Sequence, residues 1–339
     1  MKRRLMLWTV SGVVTLAVVA LVWGGLFGGR PLKVAHNNML YIDRDDTADS
    51  VHYKLEKNFG MTSFAGLKLL EQLRDYRVRT GAYQMTASLS VVDLYRMLSR
   101  GHQSPVELVV PNVRTVPKAI GIMARQVMAD SAEIARAVFD STTMAQMGFD
   151  RNTLPALFIP NTYEVYWNMS GEALVKRLKK EYTRYWNARR RDKAASMGLT
   201  PVEVSVLASI VDEETAANAE KPMIAGLYYN RLQRGMLLQA DPTVKFAMND
   251  FTLKRILFKH LETDSPYNTY KYAGLPPGPI RIPSVQGLES VLNYAHHKYL
   301  YMCAKEDFSG THNFAVTLGQ HSANARKYQS ALNRLLRKK

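Results

Sequence analysis

A chain of 339 residues is long enough for about two domains, and with 47% hydrophobic and 22% charged residues it has the composition of a folded protein, not a disordered one. Lys and Arg outnumber Asp and Glu by 45 to 29, a formal charge of +16 that favours an anionic partner or surface: nucleic acid, lipid headgroups or a wall polymer. The single cysteine, Cys303, excludes an intramolecular disulfide and any cysteine-built metal cluster, and its apolar run YLYMCA predicts a small core residue.

MKRR precedes LMLWTVSGVVTLAVVALVWGGL, an uncharged stretch from Leu5 to Leu26 that is long enough to cross about 30 Å of hydrocarbon. A cleavable signal peptide would carry an apolar core of only about 7–15 residues and a small-residue cleavage site, which VVALVWGG lacks. Residues 1–30 are therefore expected to be a cytoplasmic N-terminus and one transmembrane anchor. Lys2, Arg3 and Arg4 stay in the cytoplasm by the positive-inside bias, and the rest of a single-pass protein lies outside the cytoplasmic membrane. That topology argues against nucleic acid as a partner.

Residues 31–104 read as a small mixed α/β module. A strand is expected over LKVAHNNMLYI, helices over residues 45–58 and 63–76, a turn and strand over TGAYQMT, and a helix over residues 90–101. Residues 105–198 read as a linking α/β region, in which VELVVPNVRTVPKAIGIMARQV repeats the order strand, polar turn, helix. Pro155, Pro160 and Asn161 break the chain before KRLKKEYTRYWNARRRDK, residues 176–193. That run is expected as one basic surface helix with a narrow apolar stripe of Leu178, Tyr182 and Tyr185.

The densest motifs fall in residues 199–339. Thr200 is a candidate N-cap, Pro201 suits the first helical position, and Glu203 completes a capping box for the helix VEVSVLASIVDEET. Positions three, four and seven before Glu214 are Val211, Ile210 and Leu207, whereas those before Asp212 are Ser209, Ala208 and Ser205. Glu214 thus continues an apolar stripe and Asp212 a small polar one. A carboxyl on the apolar side is desolvated, which raises its pKa toward the range a general acid needs, and the negative end of the helix dipole pushes the same way. The competing reading, a solvated helix end pairing with Lys221 or Arg231, stays open on pattern alone. No His stands at ligand spacing nearby, so no metal site is expected.

The segments LASIVDEETAANAEKPMIAGLYYNRLQRGMLLQADPTVKFAM, SPYNTYKYAGLPPGPIRIPS and YLYMCAKEDFSGTHNFAVT follow in order. Together they closely resemble the endolytic murein transglycosylases, the MltG or YceG-like family of membrane-anchored lytic transglycosylases, over residues 207 to about 321. The resemblance implies an α+β protein with a LysM-like module over residues 31–104 and a mixed α/β catalytic domain over residues 199–339. It implies cleavage of the β-1,4 bond between N-acetylmuramic acid and N-acetylglucosamine within glycan strands, leaving 1,6-anhydro ends. The family's catalytic glutamate maps onto Glu214 before Thr215. The earlier acid of the trio is often Glu in relatives, so Asp212 looks dispensable in type, and position 213 varies. No cofactor is implied. Peptidoglycan strands and the membrane are the expected partners, with wall synthases and division or elongation proteins as candidates beyond them. The alternative class is a noncatalytic, membrane-anchored peptidoglycan-binding scaffold.

Candidate substrate contacts come from the shared motifs. Asn230 at the end of MIAGLYYNRL competes with a capping role. Gln239, Asp241 and Thr243 in LLQADPTV could line a sugar subsite or serve as turn chemistry. Tyr267, Asn268 and Tyr270 in YNTY suit sugar faces and hydroxyls, GLPPGPI suits a rigid cleft-shaping loop, and His312 is either a substrate contact or a structural histidine. PNTYEVY, residues 160–166, resembles a family segment expected beside the cleft.

Overall fold

The computed structural model describes residues 2–27, 32–34, 38–74, 76–253 and 255–337. The protein is mixed α+β, mostly helical, with three two-stranded sheets among the described residues. It folds as two compact units, one of residues 1–108, 126–128 and 164–169, the other of residues 109–125, 129–163 and 170–339. Most of the region expected as a link, 105–198, thus lies in the same unit as residues 199–339.

In the first unit, helix α1 (Lys2–Phe27) leads into strand β1 (Met39–Ile42), helices α2 (Ala48–Phe59) and α3 (Ala65–Leu73), strand β2 (Gly81–Gln84) and helix α4 (Val91–Arg100). Of the strand expected over residues 32–42, only the last four residues pair, antiparallel to β2 with Leu40 opposite Tyr83; residues 35–37 lie outside the described residues. Thr47 and Ser50 close a reciprocal capping box that starts α2, and Gly60 ends it at φ 60, the left-handed conformation that glycine adopts without cost. Leu40, Ile42, Leu55, Phe59, Leu67, Tyr83 and Leu94 form the buried core. Phe27 joins that core, and a Cβ on Gly66 would stand 2.1 Å from the Leu26 carbonyl oxygen. Among the described residues no single helix is long and apolar enough to cross a membrane; Gly12–Phe27, within the expected anchor region 1–30, is a shorter apolar helix. Val13, Leu16, Leu21 and Trp23 on it are exposed.

Strand β3 (Val106–Val110) pairs with strand β4 (Asn161–Val165), which PNTYEVY forms. Between them lie helices α5 (Val116–Ala124), α6 (Ser131–Val138) and α7 (Ser141–Gln146). The expected single basic helix is two, α8 (Gly171–Tyr185) and α9 (Ala188–Ser196). Asn187 accepts from the Arg190 amide and starts a new helix there, while Trp186 is wholly buried at the break. Leu178 and Tyr182 are buried as the stripe requires, whereas Tyr185 donates to Glu289 at 3.0 Å.

Helix α10 (Pro201–Glu214) is the axis of the second unit. Thr200 and Glu203 cap it reciprocally, at 3.2 and 2.7 Å. Every residue from Val204 to Val211 is buried, so the small polar stripe faces protein as fully as the apolar one. Its hydroxyls are satisfied: Ser205 donates to the Pro201 carbonyl, and Ser209 donates to the Val206 carbonyl while accepting the Ile280 amide at 3.0 Å. Around α10 follow α11 (Lys221–Gln233), α12 (Asp241–Ala247), α13 (Phe258–Leu261) and α14 (Val285–Leu292), then the antiparallel hairpin of β5 (Tyr301–Ala304) and β6 (His312–Ala315), and α15 (Leu318–Leu336).

Candidate active site

Three consecutive acids close α10, and the fold gives each a different environment. The Asp212 side chain is 2% exposed and accepts Lys221 Nζ at 2.7 Å, the Ser284 hydroxyl at 2.8 Å and the Ser284 amide at 2.6 Å. It therefore ties α10 to the start of both α11 and α14. Glu213 accepts Arg114 through both oxygens, at 3.0 and 2.6 Å, and Arg281 at 3.0 Å. Arg281 also bonds Asn112, so Glu213 anchors the turn after β3 and the loop that follows GLPPGPI. Within GLPPGPI itself Gly278 is obligatory, because a Cβ there would stand 1.9 Å from the Asn152 carbonyl oxygen.

Glu214 alone opens onto a cleft of about 230 Å³. Burial pushes its carboxyl up to about 7; Tyr228 Oη, donating to Oε1 at 2.6 Å, opposes that shift by favouring the charged form. The negative charge of Asp241 raises Glu214 further, while His312 and Lys245 pull it down. A carboxyl that exchanges its proton near neutrality inside a polar cleft suits both halves of an acid–base cycle.

The cleft gathers five of the residues expected from sequence, Glu214, Gln239, Asp241, Tyr270 and His312. Asp241 opens α12 and accepts Tyr270 Oη at 2.6 Å. Gln239 is held at φ 53, a conformation that ordinarily costs a non-glycine residue about 1 kcal/mol or more, and its Oε1 accepts Arg231 Nη1 at 3.2 Å. His312 begins β6 opposite Ala304. The other four lie outside the lining. Asn230 donates to the His297 and Tyr299 carbonyls at 2.8 and 3.1 Å, tying α11 to the strand region before β5. Thr243 and Asn268 are wholly buried: Thr243 bonds Thr269 at 2.8 Å, and Asn268 donates to the Leu261 and Thr263 carbonyls at 2.8 Å each. Tyr267 packs on Phe246 and reaches Asn152 at 3.3 Å. Residues 160–166 likewise do not line the cleft.

Sequence reasoning missed other members of the wall. Tyr228 stands fourteen positions from the acid it holds, and no spacing rule links them. Arg231, only 7% exposed, spends its guanidinium on the Leu300 carbonyl at 2.6 Å and the Leu238 carbonyl at 2.8 Å, and among the described residues it forms no ion pair with a carboxylate. Cys303, expected in the core, is partly exposed and lines the cleft, because β5 is the first strand of the hairpin that forms one side of it. Among the described residues no group of three or more His, Cys, Asp or Glu is placed to hold a metal ion.

A polar cleft built around one acid poised near neutrality is the equipment of an acid–base enzyme. The chain belongs to the YceG-like family, whose model matches residues 40–327. An endolytic murein transglycosylase of Bacillus subtilis (strain 168) is 42% identical over 127 residues, 38% of this chain and 34% of that protein. Another, from Streptococcus pneumoniae serotype 2 (strain D39), is 28% identical over 261 residues, 67% of this chain and 46% of that one. This chain thus spans less than half the length of these curated relatives. A crystal structure of a yceG-like protein from Listeria monocytogenes matches 84% of this chain and 97% of that one, with a TM-score of 0.54 at 23% identity, a likeness of fold.

Proposed function

We propose that this protein is an endolytic peptidoglycan lytic transglycosylase, with Glu214 as its single acid–base residue. The observation that carries this reading is the Glu214 carboxyl itself, pushed up to about 7 and held by Tyr228 in a cleft shared with Asp241. Protonated Glu214 gives its proton to the glycosidic oxygen, and the bond from that oxygen to C1 of the N-acetylmuramic residue breaks. Positive charge then develops on the sugar ring, and the Asp241 carboxylate, fixed by Tyr270, is the group available to stabilise it. The 6-hydroxyl of the same sugar attacks C1, and the Glu214 carboxylate takes up its proton. A 1,6-anhydro end forms without water, and the enzyme returns to its starting protonation state. An ordinary glycosidase needs a second carboxylate as nucleophile or water-activating base; here the substrate supplies the nucleophile.

The anchor reading gives residues 1–30 to the cytoplasmic membrane, with the N-terminus inside and Glu214 outside; the exposed Val13, Leu16, Leu21 and Trp23 support it. Residues 31–104 then form the LysM-like module, 105–198 the linking region and 199–339 the catalytic domain. The β1-α2-α3-β2 order, with its strands antiparallel, supports the module assignment. Confinement near the membrane makes newly made glycan strands the substrate, close to wall synthases and the division or elongation machinery.

The test is mass spectrometry of muropeptides from purified glycan strands incubated with the intact protein in detergent, beside its Glu214→Gln variant. Anhydro-muramyl ends from the unmutated protein alone are expected. Reducing ends would mean a hydrolase, and no cleavage of nascent strands would mean a noncatalytic scaffold.

A further inference from the structure

Glu220 lies in the turn between α10 and α11 and makes two bonds to one residue of the cleft wall. Its Oε1 accepts the His312 main-chain amide at 2.7 Å, and its Oε2 meets His312 Nδ1 at 2.9 Å. Both side chains are largely buried, 9% exposed for Glu220 and 16% for His312. A carboxylate can only accept, so Nδ1 must carry a proton. In the neutral ring that leaves Nε2 as a bare acceptor, and Nε2 makes no hydrogen bond within the described protein. His312 lines the same cleft as Glu214.

We infer that Glu220 is a positioning residue that fixes the His312 tautomer, so that Nε2 presents an acceptor to a hydroxyl or amide N–H of the saccharide bound beside Glu214. This rests on the reading of the cleft as a glycan site. The logic is that of a carboxylate orienting an imidazole, where changing the acid to an amide leaves the geometry but selects the wrong tautomer. The same change is unusually diagnostic here. A Gln at 220 has one oxygen, and the His312 main-chain N–H requires it. The Gln NH2 is then placed against Nδ1, which has to become the acceptor, and the ring proton moves to Nε2. The acceptor offered to the sugar becomes a donor.

The experiment compares the intact protein, E220Q, His312→Ala and the double variant in detergent. Imidazole 15N shifts, assigned by the resonance lost in His312→Ala and read where the ring is neutral, should show the Nδ1–H tautomer in the unmutated protein and Nε2–H in E220Q. That readout needs no substrate. The kcat/KM for releasing anhydro ends should fall about tenfold in E220Q, the value of one hydrogen bond to substrate. It should fall at least as far in His312→Ala, and no further in the double variant, since Glu220 acts only through His312. Glu220→Asp, which keeps the charge but shortens the reach, gives mixed tautomers and serves if E220Q does not fold. An Nε2–H tautomer in the unmutated protein, a tautomer swap without loss of rate, or additive losses would each overturn the assignment. Absence of anhydro ends from the unmutated protein overturns the transglycosylase reading instead, and is seen before any Glu220 variant is made.

Discussion

Replacing Glu214 with Gln should stop catalysis and stabilise the protein above neutral pH. The fold raises this carboxyl from its ordinary 4.5 to about 7, burial being the largest cause. A raised pKa means that the native state prefers the neutral form. The stability is therefore fully present below about pH 4.5, declines as pH rises, and the decline is complete above about 7. At 1.36 kcal/mol per unit, the ionised carboxyl costs the native state roughly 3 kcal/mol at pH 8. Gln is neutral, nearly isosteric with the protonated acid, and still accepts from Tyr228 through its oxygen. E214Q should thus match the unmutated protein near pH 4 and exceed it at pH 8, by up to roughly 3 kcal/mol or on the order of 5 °C in Tm. Denaturant unfolding of both proteins in detergent across this range, beside the muropeptide assay, tests the two effects together. Equal stability at pH 4 and pH 8 would refute the desolvated-acid reasoning even if activity were lost. Lower stability at pH 8 would show that the charge is favourable where it sits.

The groups around Glu214 should shift its titration in opposite directions. Tyr228→Phe removes the donor that favours the carboxylate, so the alkaline limb of the pH–rate profile should move up while kcat falls. Asp241→Asn removes a like charge, so that limb should move down in pH, with kcat reduced through loss of the group that faces the developing positive charge. Asp212→Ala leaves the Lys221 ammonium buried without its partner and should cost roughly 3–5 kcal/mol in equilibrium unfolding, with residual activity tracking the folded fraction.

The shape of α10 was legible in the sequence because its determinants are local. The Thr200 cap, Pro201, Glu203 and the run to Glu214 are read by rules that act within four residues, and they produce a helix with those bounds. Helix α2, expected over residues 45–58, likewise forms at Ala48–Phe59 under local capping by Thr47 and Gly60. Where a local rule was overlooked, as with Asn187 capping a second helix inside the basic run, the element boundary was missed. The place of Glu214 after Ile210 and Val211 is equally local, but Ser205, Ala208 and Ser209 are buried too, so the apolar stripe does not by itself separate Glu214 from Asp212.

What no local rule contains is which polar side chains meet across the chain. Asn230, Thr243 and Asn268 stand in the same motifs as Gln239, Asp241 and Tyr270, and residue type cannot separate those that brace loops from those that line the cleft. Tyr228 reaching Glu214, Ser284 capping Asp212, and Glu220 holding His312 are contacts between elements whose distance is set by packing around α10. The sequence alone determined most of the helices, the apolar N-terminal segment and the run of three acids that ends with Glu214. The tertiary structure decided that acid's chemistry, because a carboxyl's pKa depends on what is packed around it and its neighbours come from remote parts of the chain.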